Sequence, residues 1–258
     1  MATGSERTPS RRERPAKPAL TRAGIIAAAV GIMRAEGLQK VTMRRLAQEL
    51  DTGAASLYVY VANTAELHAA VLDELLGTVD LAPVHARGDW RDRLIAVLTS
   101  YTAVLFDHPG LARSAVVARP SGKHYLELIE ALLALLDEGG VPRAQAAWGV
   151  DVLLQHGTAT AAEHSAAGPG TGSAEHSMAE HSGTGPAKHS AANPGTSPGE
   201  HDWNALARAV RGPSHPHIAA IGADLLSGTP DERLAWGFRV LVNGIAYTPR
   251  TPTSQERS

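Results

Sequence analysis

Apolar residues recur at helical spacing along most of this chain. Ile25, Ile26, Ala29, Ile32 and Met33 share one face of a helix over about 21–36, stopped by Gly37. Met43, Leu46, Ala47 and Leu50 repeat the i, i+3, i+4, i+7 pattern over 43–50. Leu57 and Val61 anchor a further short helix over 54–61, and Asn63 caps one that runs to about Leu76. Asp89 caps the next, with Leu94, Leu98, Tyr101 and Leu105 on one stripe and an end near His108-Pro109. A short helix covers 110–118. Ser121 caps another, with Tyr125, Leu128, Ile129, Leu132, Leu133 and Leu136 on its stripe and Gly139-Gly140 at its end. Pro142 opens a helix that reaches about His156. Beyond it, 203–210 reads as helix. Thr229-Pro230-Asp231-Glu232 combines an N-cap, a first-turn proline and first-turn acids ahead of Leu234, Phe238, Leu241 and Ile245. No alternating strand pattern interrupts these blocks, so the predicted fold class is all-α.

Three stretches break the pattern. Residues 1–19 are polar, basic and proline-containing, and are expected to form a disordered arm. Residues 157–202 contain no Leu, Ile, Val, Phe, Tyr or Trp, and Met178 is their only large apolar side chain. Burial there cannot offset the entropy of ordering, which predicts a disordered low-complexity insert. The insert repeats Ala-Glu-His-Ser at 162–165, 174–177 and 179–182, and Ala-Lys-His-Ser at 187–190. Its histidines (His164, His176, His181, His189, His201) leave a metal-binding reading beside the plainer one of a solvated loop. Residues 249–258 form a polar tail, also expected to be disordered.

Charge changes the picture. The net formal charge of the 258-residue chain is −2. Residues 1–50 carry ten basic and four acidic side chains, whereas residues 51–258 carry fourteen and twenty-two. A basic end on an acidic chain points to a nucleic-acid partner. Cysteine is absent, which excludes disulfides, thiol catalysis and thiolate metal sites. No apolar run approaches the roughly 18 residues of a membrane helix. Arg11-Arg12 precede an apolar stretch, but Arg34 and Glu36 follow it and no cleavage pattern appears, so export is not expected and a cytoplasmic location is.

The chemistry concentrates between Val41 and Tyr60. Thr42 caps the helix whose core stripe leaves Arg44, Arg45, Gln48 and Glu49 outside. Asp51-Thr52-Gly53 forms a tight turn, with Asp51 tolerant of a left-handed backbone. The second helix turns Ala55, Ser56, Tyr58, Val59 and Tyr60 outward. Two short helices joined by three residues are a helix-turn-helix pattern. Small residues (Ala54, Ala55 and Ser56) let the backbone approach base edges, with Ala55 beside a thymine methyl and Ser56 as a hydrogen-bonding group. Arg44 suits a bidentate guanine contact. Arg45 adds charge, and Thr42, Thr52, Tyr58 and Tyr60 carry hydroxyls suited to phosphates.

The run Leu46-Ala47-Gln48-Glu49-Leu50, then Leu57-Tyr58-Val59-Tyr60-Val61, then Asn63 and Leu67, resembles the tetracycline-repressor family of bacterial regulators across Leu20–Leu76. Thr64 stands where many members carry lysine, and Asp51 where many carry glycine. The basic arm (Arg7, Arg11, Arg12, Arg14, Lys17) is expected to replace the lost lysine charge through the minor groove. Asp107-His108, Arg119-Pro120 and Trp236-Gly237-Phe238 extend the resemblance to the tetracycline-repressor type of regulatory domain. The resemblance implies a three-helix DNA-binding domain over 20–66. It further implies a larger helical ligand-binding and dimerisation domain over 67–156 and 203–248. The helix before the insert and the last helix would form a homodimer interface. Ala146, Ala147, Trp148, Val150, Val152, Leu153 and Leu154 make the first of these apolar nearly all round. A small-molecule pocket is implied too, with Tyr101, Arg113, Trp148, Asp151, Gln155 and Asn243 as its expected lining. Ala115-Val116-Val117-Ala118 stand where the tetracycline–magnesium site needs side-chain ligands, so no cofactor or metal is expected.

The function expected is a ligand-responsive repressor, homodimeric on a roughly palindromic operator and released by a small-molecule effector. An enzyme is not expected, since no nucleophile elbow, phosphate loop or metal-ligand helix pair is present. A histidine-rich metal sensor and a helical interaction protein without DNA binding are the alternatives.

Overall fold

The computed structural model of the chain describes residues 19–117, 120–166, 215–225 and 227–250. Every regular element among them is helical, and the chain divides into two compact units after Asn63.

The first unit is small. Thr21 caps α1 (Arg22–Glu36) by accepting the Gly24 N–H at 3.1 Å. Gly37, with φ 87°, ends it in a conformation that favours glycine. A 3-10 turn (Leu38–Lys40) leads into α2 (Met43–Glu49), and a tight turn leads on to α3 (Ala54–Leu57). Ile25, Ala29, Ile32 and Met33 of α1 close over Met43, Leu46, Ala47, Leu57 and Val61, all buried. Helix α3 is shorter than the predicted 54–61. The chain past Leu57 continues in turn geometry, with the Tyr60 N–H on the Leu57 carbonyl at 2.9 Å. Aromatic and β-branched residues at 58–61 hold helix poorly.

The second unit begins with α4 (Thr64–Leu76). This helix packs on α6 and α7, so the first unit ends at Asn63 rather than at residue 66. A 3-10 turn (Ala82–His85) precedes α5 (Trp90–Asp107), capped by Asp89, whose carboxylate accepts the Arg91 N–H at 2.7 Å. Then come α6 (Pro109–Val117), α7 (Lys123–Glu138), α8 (Arg143–Ala166), α9 (Pro216–Leu225) and α10 (Pro230–Tyr247). Helix α8 packs on α5, α6, α7 and α10, around Leu98, Leu105, Leu111, Leu132, Leu153 and Phe238. Gly149 lets α8 approach α10 closely: a Cβ there would lie 2.6 Å from Ile245. Thr229 and Glu232 form the full capping box at α10. No single helix among the described residues is long and apolar enough to cross a membrane.

The structure corrects several boundaries. Helix α8 does not stop near His156 but runs through the first ten residues assigned to the insert, to Ala166. Alanine favours helix, and Thr158 and Thr160 return their hydroxyls to the carbonyls four residues back at 2.7 and 2.9 Å. Gly157, Thr158 and Ala161 are buried, so packing holds this turn in place. The cap of α7 is Gly122, not Ser121. Helix α9 was not predicted. The arm as far as residue 18, the insert from 167 to 202, the helix proposed at 203–210 and residues 251–258 lie outside the described residues.

Candidate functional site

The helix-turn-helix geometry follows from local rules. Thr42 Oγ1 accepts the Arg45 N–H at 3.1 Å and starts α2. Asp51 takes φ 47°, the left-handed conformation anticipated for it. The Thr52 N–H then reaches back to the Ala47 carbonyl at 2.9 Å, which closes the turn. Leu57, 0% exposed, is the anchor of α3.

That anchoring leaves one face outside. Ala55 and Ser56 are exposed, as are Tyr58 and Val59, and Ala54 and Thr52 are half-buried beside them. Arg44 projects from α2, exposed. Val59, 81% exposed against 54% for Tyr58, belongs to this face although it was not among the expected contacts. Its signal is an apolar residue that the Leu57–Val61 spacing leaves on the outside.

Two expected DNA contacts are otherwise engaged. The Arg45 guanidinium donates to Glu36 at 2.6 and 3.0 Å and to Glu49 Oε2 at 2.8 Å. These hydrogen bonds raise the Arg45 pKa, Glu36 contributing more than Glu49, and its bond to Arg45 holds the Glu36 carboxyl below the usual carboxylate range. Arg45 therefore ties α1 to α2, and its charge is locally balanced. Tyr60 spends its proton on the Leu20 carbonyl, 2.8 Å away, and so fixes where the chain enters α1. A phosphate oxygen needs a donor, and this hydroxyl has already used its own.

The second unit holds a pocket of about 260 Å³ that opens to solvent, lined by Tyr101, Ala115, Val116, Pro120, Tyr125, Asp151, Leu154, Gln155, Thr158 and Ala159. Thr158 gives its proton to the Leu154 carbonyl, so the Tyr101 hydroxyl is the donor in the 2.7 Å bond between Tyr101 and Thr158. Across the wall, Gln155 Nε2 donates to Asp151 Oδ2 at 2.6 Å. Of the six residues expected here, Tyr101, Asp151 and Gln155 come together at the cavity. The other three do not. Arg113 is exposed on α6; Trp148 is 56% exposed with the Arg250 guanidinium 4.7 Å above its ring; Asn243 accepts from Arg91 Nε at 3.1 Å. Thr158 and Ala159 were missed because the helix was ended before them. Tyr125 was missed because it sits on the core stripe of α7. The histidine-rich metal reading concerns residues that, apart from the backbone of His164, lie outside the described ones.

A helix-turn-helix head followed by an all-helical body with a solvent-open pocket defines a two-unit helical regulator. The model described as "Bacterial regulatory proteins, tetR family" matches residues 25–71, and that described as "Tetracyclin repressor-like, C-terminal domain" matches 82–248. The crystal structure of SCO7704 from Streptomyces coelicolor, titled a candidate transcription regulator, shares 53% identity over 92% of this chain and 100% of its own, with a TM-score of 0.69. ActR of Streptomyces coelicolor, solved in complex with actinorhodin, shares 29% over 88% of this chain and 97% of its own, with a TM-score of 0.66. The HTH-type transcriptional repressor DrrR1 of Streptomyces coeruleorubidus is 36% identical over 49% of this chain and 48% of its own length. The chain spans about half the length of the curated relatives it matches. The chain belongs to the tetracycline-repressor family.

Proposed function

We propose that this protein is a homodimeric transcriptional repressor that leaves its operator when a small molecule fills the cavity of the second unit. One observation carries the reading. An arginine, a serine, a tyrosine and small residues (Arg44, Ala55, Ser56, Tyr58) stand exposed around a helix-turn-helix whose own core is complete. An exposed Tyr58-Val59 pair and an exposed arginine on one helix-turn-helix suit a partner with both phosphates and base edges. Arg44 and Ser56 read bases, while Tyr58 and the Thr52 hydroxyl hold phosphates. Two such heads on a two-fold axis select a roughly palindromic site.

Helices α8 and α10 support the dimer. Trp148 and Val152 of α8 and Trp236, Val240 and Tyr247 of α10 are exposed apolar side chains, more than a monomer usually leaves in water. The cavity supports the effector. It mixes apolar wall with hydrogen-bonding groups, as small-molecule sites do. Ala115 and Val116 offer it no metal ligand, so recognition there proceeds without magnesium bound at those positions. Helix α6 supplies both residues and packs on α4, which begins directly after the head. An effector shifts DNA binding by the difference between its affinities for the two arrangements of α6 and α4. ActR, whose solved complex holds actinorhodin, supports an effector site in this architecture.

The test is a gel shift with the DNA upstream of the protein's own gene. A band retarded at nanomolar protein, and resistant to excess random DNA, supports the reading. No retardation, or equal competition by random DNA, refutes it.

A further inference from the structure

The first turn of α7 lacks a cap of its own. Gly122 stands at its N-cap position and offers no side chain. The acceptor comes instead from α4: Asp73 Oδ1 takes the Tyr125 N–H at 2.9 Å. The approach is close enough that a methyl group at Gly122 would collide with the Asp73 carboxylate. His124 turns back toward the same residue. Its Nδ1 lies 3.0 Å from the Asp73 carbonyl oxygen and 3.6 Å from Asp73 Oδ2. Its ring covers Gly77, where a Cβ would meet Nε2 at 3.1 Å. The carboxylate thus sits at the positive end of α7, where a charged acceptor is favoured, and its side chain is only 15% exposed.

The segment tied in this way is also cavity wall. Tyr125 and Pro120 both line the cavity. At the other end of the tie, α4 starts at Thr64, the residue after the head ends.

We propose that Asp73 is a coupling residue, making α4 follow the Pro120–Tyr125 wall so that a molecule entering the cavity acts on α4 through α7 as well as through α6. This rests on the cavity being the effector site. Asp73 is a positioning residue. Displacing Tyr125 either carries α4 with it through the Asp73 bond or breaks that bond, and both outcomes change α4. Asn at this position keeps an acceptor oxygen and loses the charge; Ala loses both.

The test uses the full chain and fills the cavity by substitution, so it needs no effector. Ala159 lines the cavity from α8, and Ala159→Phe projects an aromatic ring there. Hydrogen exchange across residues 64–76 is followed in the wild type, Ala159→Phe, Asp73→Ala and the double variant, with Asp73→Asn as a milder partner should Asp73→Ala fail to fold. The expected result is non-additive. Ala159→Phe raises α4 exchange several-fold in the wild-type background and leaves it unchanged once Asp73 is Ala; Asp73→Asn keeps part of the response. A role confined to capping overturns the proposal: Asp73→Ala would then free the Tyr125 amide while α4 still responded fully to Ala159→Phe. Absence of any α4 response to Ala159→Phe overturns it equally. Failure of the repressor reading shows separately, as wild-type protein without specific DNA binding, and leaves these exchange profiles decisive.

Discussion

Leu57→Ala is expected to unmake the head while leaving the body folded. Leu57 is 0% exposed and is the buried residue of the four-residue helix α3. Truncating a fully buried leucine costs about 2–5 kcal/mol, from lost apolar transfer and the cavity left behind. The head presents residues 19–63 as its described part. At about 0.05–0.15 kcal/mol per residue, a unit of that size has roughly 2–7 kcal/mol of stability. The two ranges overlap, so the variant head should stand near or beyond its own midpoint at room temperature. Spectroscopy can separate the units because Trp90, Trp148, Trp203 and Trp236 all lie after residue 63. Urea titrations should show an early loss of far-ultraviolet circular dichroism from α1, α2 and α3, with tryptophan fluorescence holding to the wild-type midpoint. Specific DNA binding should vanish with the early phase. A single transition at the wild-type midpoint, seen alike by both probes, would refute the reasoning.

Arg44→Ala should weaken specific DNA binding by about 1–3 kcal/mol and leave the urea midpoint unchanged; equal loss on operator and random DNA in an anisotropy titration would make Arg44 a phosphate contact. Arg45→Ala should do the reverse, lowering the melting temperature of the head because Glu36 and Glu49 lose their shared partner; a large loss of operator affinity with unchanged melting would contradict this. With the proposed dimer, Trp148→Glu together with Trp236→Glu should give folded monomer in sedimentation velocity where the wild type sediments as a dimer; a variant that still sediments as a dimer would place the interface elsewhere. The Thr229 N–H, 2.8 Å from Glu232 Oε2, holds that carboxyl below its ordinary range. A lowered folded pKa means stability that is complete above the ordinary glutamate range and is lost as pH falls through the folded value. Melting-temperature profiles of wild type and Glu232→Gln should therefore converge in acid, and a constant gap would contradict the linkage.

Much of this arrangement was legible in the residues. The head was readable because its signals are local: the Thr42 cap, the Leu46–Leu57–Val61 anchors and Asp51 in a left-handed turn. The capping box at Thr229 was readable for the same reason. What escaped depended on partners far away in the chain. Arg45 looked like a surface arginine because Glu36 lies nine residues earlier, across a turn. Tyr60 looked available because Leu20, forty residues back, takes its proton. Thr158 and Ala159 were assigned to the low-complexity insert, since composition alone does not reveal that Tyr101 waits 57 residues away to pair with Thr158. The cavity lining was half legible: polar residues on α5 and α8 were found, but the aliphatic wall of α6 and the α7 tyrosine read as ordinary core.

The central claim is that the exposed face around Arg44 and Ala55–Val59 reads a DNA sequence. The most direct measurement is selection of duplexes from a random pool by the wild-type protein, followed by anisotropy titration of the selected and a scrambled duplex at one fixed salt concentration. The account predicts a roughly palindromic consensus bound about 10³-fold or more tighter than the scrambled duplex. An unenriched pool, or equal affinity for both duplexes, would contradict it.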